Sequence, residues 1–152
     1  MELGTIEREI FVDASPEVVF DVVSNPAYVR QWWSDDARYE VVAGASGEIV
    51  FGDSPDATTV ALTVVEVVPP HRFSFRWTHP THEQALESNS LLVTFDLEHS
   101  RGGTLLKMTE TGFRELGWQA AVLEQQYHEH VTGWTFYLPR LQNLAATVAA
   151  RA

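Results

Sequence analysis

A carboxylate on an apolar strand face is the most informative polar feature of this chain. Within residues 104–112, Leu106, Met108 and Glu110 alternate in phase, so a strand there carries all three on one side. If the two apolar residues face the interior, Glu110 does too, and a carboxylate taken out of water needs a cation or hydrogen-bond donors beside it. There it would orient the polar end of an otherwise apolar ligand. The alternative is a strand that has reached solvent by residue 110, leaving Glu110 wet.

The chain has six histidines. His128 follows Tyr127 at the edge of an apolar helical stripe, and it is either a ligand's hydrogen-bond partner or a solvent-facing side chain. His79 and His82 are three apart in a polar segment, and His128 and His130 are two apart. Neither pair has a third ligand at a recognised spacing, and the helical His-Glu-x-x-His pattern is absent, so no metal and no cofactor is expected. There is no cysteine, which excludes thiolate catalysis, disulfides and cysteine-ligated clusters. No Gly-x-Ser-x-Gly elbow occurs, and Gly44 to Gly47 sits between strands rather than before a helix, so neither a serine nucleophile nor a phosphate loop is expected. The sequence names no catalytic constellation.

Apolar and aromatic side chains surround Glu110 by phase. Phe75 and Trp77 share one face of a strand, Phe95 and Met108 belong to two others, and Trp134 and Leu138 lie on the last helix. Each either packs a core or lines a cavity. Trp32 and Trp33 end a short helix, as an anchor or as a ligand lid. With Phe51, Glu110, Tyr127 and His128 these form the candidate ligand-binding set.

The element that positions them is the last one. Between residues 127 and 148, Tyr127, Val131, Trp134, Leu138, Leu141, Ala145 and Val148 recur at helical spacing, and so one face must be buried against something broad. Pro139 removes a backbone donor and is expected to kink this helix. Upstream, residues 6–12 alternate as a strand. Ser15-Pro16 and Asn25-Pro26 each open a short helix with a capping side chain and a proline that needs no donor. Strands are expected at 38–43 and 48–52 around a glycine turn, then a loop at 53–56, and further strands at 58–68, 71–78, 88–99 and 104–112. A long helix across one face of an antiparallel sheet is the economical arrangement. A gap between helix and curved sheet, closed at one end by the Trp32/Trp33 turn, predicts an apolar cavity.

Bulk composition narrows the classes. At 152 residues, with 45% hydrophobic side chains, the chain reads as one domain able to bury a core without staples. A formal net charge of −11 repels nucleic acid and anionic lipid surfaces. No apolar run approaches a membrane span and no export signal opens the chain, so a cytoplasmic protein without integral membrane contact is expected.

Four ordered stretches carry a resemblance: residues 10–26 followed by Trp32/Trp33; 64–77 (VVEVVPPHRFSFRW); 91–113, with the Gly102/Gly103 turn and closing Gly112/Phe113; and Gly133/Trp134 followed by Leu138 and Leu141. Together they resemble the SRPBCC superfamily, the START-like helix-grip proteins, and within it homologues of the activator of the 90-kDa heat-shock protein ATPase. Glu110 stands where such sequences often carry a histidine. The resemblance implies an α+β helix-grip fold, a curved antiparallel sheet wrapped around a long C-terminal helix, with two short helices after the first strand. It also implies binding of a small apolar or amphipathic molecule, lipid-like or polyketide-derived and aromatic, in the central cavity. Alternatives are a cyclase or dehydratase using a cavity carboxylate or histidine such as Glu110 or His128, and a co-chaperone-like domain with a heat-shock ATPase as partner. Either a monomer or a homodimer is compatible.

Overall fold

The computed structural model describes residues 4–52 and 55–151. In chain order the elements are β1 (Thr5–Val12), α1 (Pro16–Ser24), α2 (Pro26–Trp32), β2 (Asp36–Arg38), β3 (Ser46–Phe51), β4 (Thr58–Val68), β5 (Arg72–Trp77), β6 (Leu91–Ser100), β7 (Gly103–Thr111) and α3 (Ala120–Arg151). The strands form one antiparallel sheet in the order β1-β7-β6-β5-β4-β3-β2. The molecule is thus an α+β helix-grip, a curved sheet closed over a long C-terminal helix. Of the loop expected at 53–56, Asp53 and Ser54 lie outside the described residues.

The two short helices start as their sequences dictate. Ser15 accepts from the Val18 amide, and Asn25 accepts from the Ala27 amide through its side chain. Asn25 also ends α1, its own amide donating to the Asp21 carbonyl, so a single residue links the two helices without a loop. Pro26, the first residue of α2, has no amide to give the Val22 carbonyl of α1. The Trp32 indole nitrogen donates to that carbonyl instead, at 2.9 Å, and locks α2 against α1.

Two expectations need correction. Residues 38–43 do not form a strand: β2 is Asp36–Arg38, and the chain leaves the sheet at Tyr39. The Tyr39 side chain turns inward, its hydroxyl donating to the Ser24 carbonyl at 2.6 Å. Gly47 then passes so close to the Arg38 carbonyl and the Tyr39 Cβ that any side chain at 47 would collide with them. The last helix begins at Ala120 rather than at 127. Its first turns have good helix formers but only Leu123 as a half-buried apolar side chain, so propensity rather than an apolar stripe extends it. At 32 residues it is about 48 Å long. It remains helical through Pro139, whose ring sits on the exposed side.

α3 packs on β1, α1 and α2. Tyr127 Oη donates to the Thr5 carbonyl, Gln142 donates to the Phe11 carbonyl, and Arg140 donates to the Gln31 carbonyl. Beneath it the inward faces of β5, β6 and β7 supply Phe73, Phe75, Val93, Phe95, Leu106 and Met108, all fully buried. Among the described residues no helix is long and apolar enough to cross a membrane.

Candidate functional site

The alternation of β7 puts Leu106, Met108 and Glu110 on the inner face, with Glu110 opposite Val93 on β6 and Ile6 on β1. Glu110 is not at a wet rim: its side chain is 0% exposed. Three nitrogen donors meet its carboxylate. The Trp77 indole reaches Oε2 at 2.8 Å, the Trp134 indole reaches Oε1 at 2.9 Å, and His130 Nδ1 reaches Oε1 at 2.9 Å. His130 and Trp134 are one helical turn apart on α3 and so present their nitrogens side by side. Trp77 ends β5. One carboxylate therefore ties together the helix and two strands, and three of its roughly four acceptor positions are filled.

A carboxylate only accepts, so the hydrogen between it and His130 sits on Nδ1. The ring lies between Trp77, to which it is tilted, and Phe113, which it meets edge-on, at centroid distances of 5.3 and 5.4 Å. Nε2 makes no hydrogen bond among the described residues.

Beside this cluster lies a cavity of about 150 Å³, lined by Trp33, Phe51, Trp77, Glu129, His130, Gly133, Trp134 and Tyr137. Its walls are mutually packed rings: Trp33 stacks on Trp134 at 5.5 Å and meets Trp77 edge-on at 4.9 Å and Phe51 at 5.9 Å. Gly133 leaves a gap in the α3 wall. A methyl group built there meets nothing nearer than the Tyr137 ring, at 4.0 Å.

Of the residues singled out from sequence, Trp33, Phe51, Trp77 and Trp134 line this cavity and Glu110 sits behind it. Trp32, Phe75, Phe95, Met108 and Leu138 are buried core and not part of its wall. Trp32 lies behind Trp33, stacked on it and edge-on to Phe95. Tyr127 anchors α3 to β1, and His128 is exposed. The histidine of the site is His130. Its signal was available: the buried stripe Trp134, Leu138, Leu141, Ala145, stepped back four residues from Trp134, lands on 130. His79 is also buried, but at the outer side of the sheet against Thr63 Oγ1. Among the described residues no three His, Asp or Glu side chains gather as a metal would require.

Residues 13–146 match the family described as Activator of Hsp90 ATPase homolog 1-like protein. No curated protein matches the chain. Solved structures do. Protein NE0264 from Nitrosomonas europaea superposes with a TM-score of 0.79 at 12% identity, covering 99% of each chain. The solution structure of the Aha1 dimer from Colwellia psychrerythraea gives 0.69 at 15% identity, over 93% of this chain and 96% of that one. DynU16, from the dynemicin biosynthetic locus, gives 0.70 at 21% identity over 96% of this chain and 48% of its own. Such identities establish a shared fold, on which many unrelated functions are built.

Proposed function

The chain belongs to the Activator of Hsp90 ATPase homolog 1-like family, and on that footing we propose that it binds a small apolar or amphipathic molecule between α3, β3 and β5. The observation that carries this reading is the unfilled volume of about 150 Å³ among aromatic rings, with His130, whose Nε2 has no partner among the described residues, in its lining. The pocket is a half-open cleft, with Glu129 exposed in its lining. A cavity of this volume with apolar walls accommodates one six-membered ring. It is smaller than the roughly 300 Å³ at which pockets for larger ligands begin, which favours a single aromatic ring over a lipid chain or a polycycle. We read residues 1–152 as a single unit, because the seven strands form one sheet on which α3 packs.

Toluene tests the proposal. Three of the five tryptophans touch the cavity, so occupancy changes their emission. Saturable quenching or a spectral shift in the millimolar to micromolar range, about −4 to −8 kcal/mol, is the expected result. No change up to the solubility limit would refute it. Mass spectrometry under non-denaturing and then denaturing conditions identifies any passenger from the expression host.

A second reading has its own observation, the carboxylate–imidazole pair at 2.9 Å. A histidine oriented by a carboxylate is the arrangement of a general acid or base, as in a cyclase or dehydratase. On this reading His130→Phe abolishes turnover of a compound the cavity takes while leaving toluene affinity intact, and turnover surviving in that variant removes it. The family's description also prompts a protein-binding reading, under which this chain raises ATP hydrolysis by a 90-kDa heat-shock ATPase. Unchanged hydrolysis at saturating chain disposes of it.

A further inference from the structure

We propose that the ligand is a phenol, a single aromatic ring with one acidic hydroxyl, seated with that hydroxyl on His130 Nε2. This rests on the cavity reading above and names the chemistry of its occupant. Glu110 accepts hydrogen bonds from Trp77, Trp134 and His130 Nδ1, so the hydrogen facing it on the imidazole is fixed on Nδ1. In a neutral ring Nε2 then carries a lone pair and needs a donor.

A purely apolar ligand fills the volume but displaces the water that Nε2, on a side chain 13% exposed, otherwise meets, without replacing its hydrogen bond, which forfeits affinity. A ligand offering only an acceptor, such as an ether, places two lone pairs against each other. A carboxylate ligand brings a second negative charge toward buried Glu110 and toward Glu129, which also lines the cavity, in a chain already at −11. A phenol adds no net charge and donates to Nε2. Should its proton cross to the nitrogen, the phenolate and the imidazolium remain joined by the same hydrogen bond. One proton moves along that bond and nothing else is required. The aromatic rings of Trp33 at the end of α2, Trp134 on α3 and Trp77 on β5, all lining the cavity, suit the ring.

The test compares four probes of similar shape, phenol, toluene, anisole and benzoate, by tryptophan fluorescence and calorimetry on the full chain and on His130→Phe. Phenol should bind about fivefold more tightly than toluene or anisole, the scale of one neutral hydrogen bond, and benzoate weakest. In His130→Phe toluene should still bind while the preference for phenol falls to about onefold, which separates loss of the nitrogen from loss of the cavity. Should that variant not fold, nitrogen NMR of the unsubstituted chain reads the same point: the His130 Nε2 resonance should move with phenol and stay with toluene. Equal affinities for phenol, toluene and anisole would overturn this inference and leave the cavity reading standing, as would a preference for anisole or benzoate. Binding of none of the four would overturn both.

Discussion

Gly133 offers the most discriminating substitution because stability and binding should move in opposite directions. It lies inside α3, where glycine costs about 0.5–1 kcal/mol relative to alanine through backbone entropy. A Cβ there meets only the Tyr137 ring, at 4.0 Å, an ordinary contact distance, so Gly133→Ala recovers that free energy without strain. For a chain of this length the gain amounts to a melting temperature raised by about 1–4 °C. The added methyl enters the cavity wall. It displaces roughly the volume of one water, about 30 Å³, from a space of about 150 Å³. A ring that filled the original space is then overpacked at a cost of about 1–3 kcal/mol, a loss of five-fold to more than a hundred-fold in affinity. Thermal unfolding followed by circular dichroism and a toluene titration followed by fluorescence read the two quantities independently. A lower melting temperature would show that position 133 is not open. Unchanged toluene affinity in a stabilised variant would show that the ligand does not sit against α3 at this turn.

Three further outcomes are expected. Glu110→Gln turns an amide N–H₂ toward at least one of the three donors now held by the carboxylate, and urea unfolding should show a loss of about 1–3 kcal/mol; equal or greater stability would mean that the cluster does not hold the helix to the sheet. Trp32→Phe orphans the Val22 carbonyl, which Pro26 cannot serve, and empties part of the core, so a loss of about 2–4 kcal/mol is expected; a loss under about 1 kcal/mol would refute the capping role. Burial pushes the Tyr39 hydroxyl pKa well above its ordinary 10.0. The folded chain therefore keeps a proton that the unfolded chain releases: the contribution is complete below pH 10.0 and declines by about 1.4 kcal/mol per pH unit above it. Urea unfolding between pH 9 and 11 should show that decline, and Tyr39→Phe should flatten it; identical slopes in the two proteins would remove Tyr39 as the cause.

What the sequence reveals here is governed by how local each signal is. Ser15-Pro16 and Asn25-Pro26 are complete helix starts within two residues, and the in-phase runs of β4 to β7 announce a sheet without reference to anything distant. Residues 39–43 mislead because what lifts them off the sheet is the hydroxyl of Tyr39 on the Ser24 carbonyl, a contact across fifteen positions. Glu110 is ambiguous for the same reason. Alternation shows that it faces inward, but whether it is wet depends on Trp77 and Trp134, 33 and 24 residues away. His128 and His130 cannot be told apart by neighbourhood. Only the phase of the buried stripe separates them, and the half-buried Tyr127 and Val131 blur that phase by widening the stripe.

The presence of a carboxylate at position 110 bears on the cavity. A leucine or methionine at that strand position would continue the pattern of Leu106 and Met108 and would bury without any donor. Replacing a buried ionic or polar cluster by apolar side chains of similar volume is commonly neutral or stabilising, so the fold alone gives no reason for a carboxylate there. Its three bonds do something that packing cannot. They fix the Trp77 and Trp134 indoles by their nitrogens, and these rings form opposite walls of the void. They also commit His130 Nδ1 and thereby leave Nε2 as the ring's remaining polar group. Without the carboxylate the three side chains would be free to rotate into the space between them, and the void would close. On the proposed reading Glu110 is thus a positioning residue that touches no ligand: it would hold the cavity open and set the hydrogen-bonding character the cavity presents.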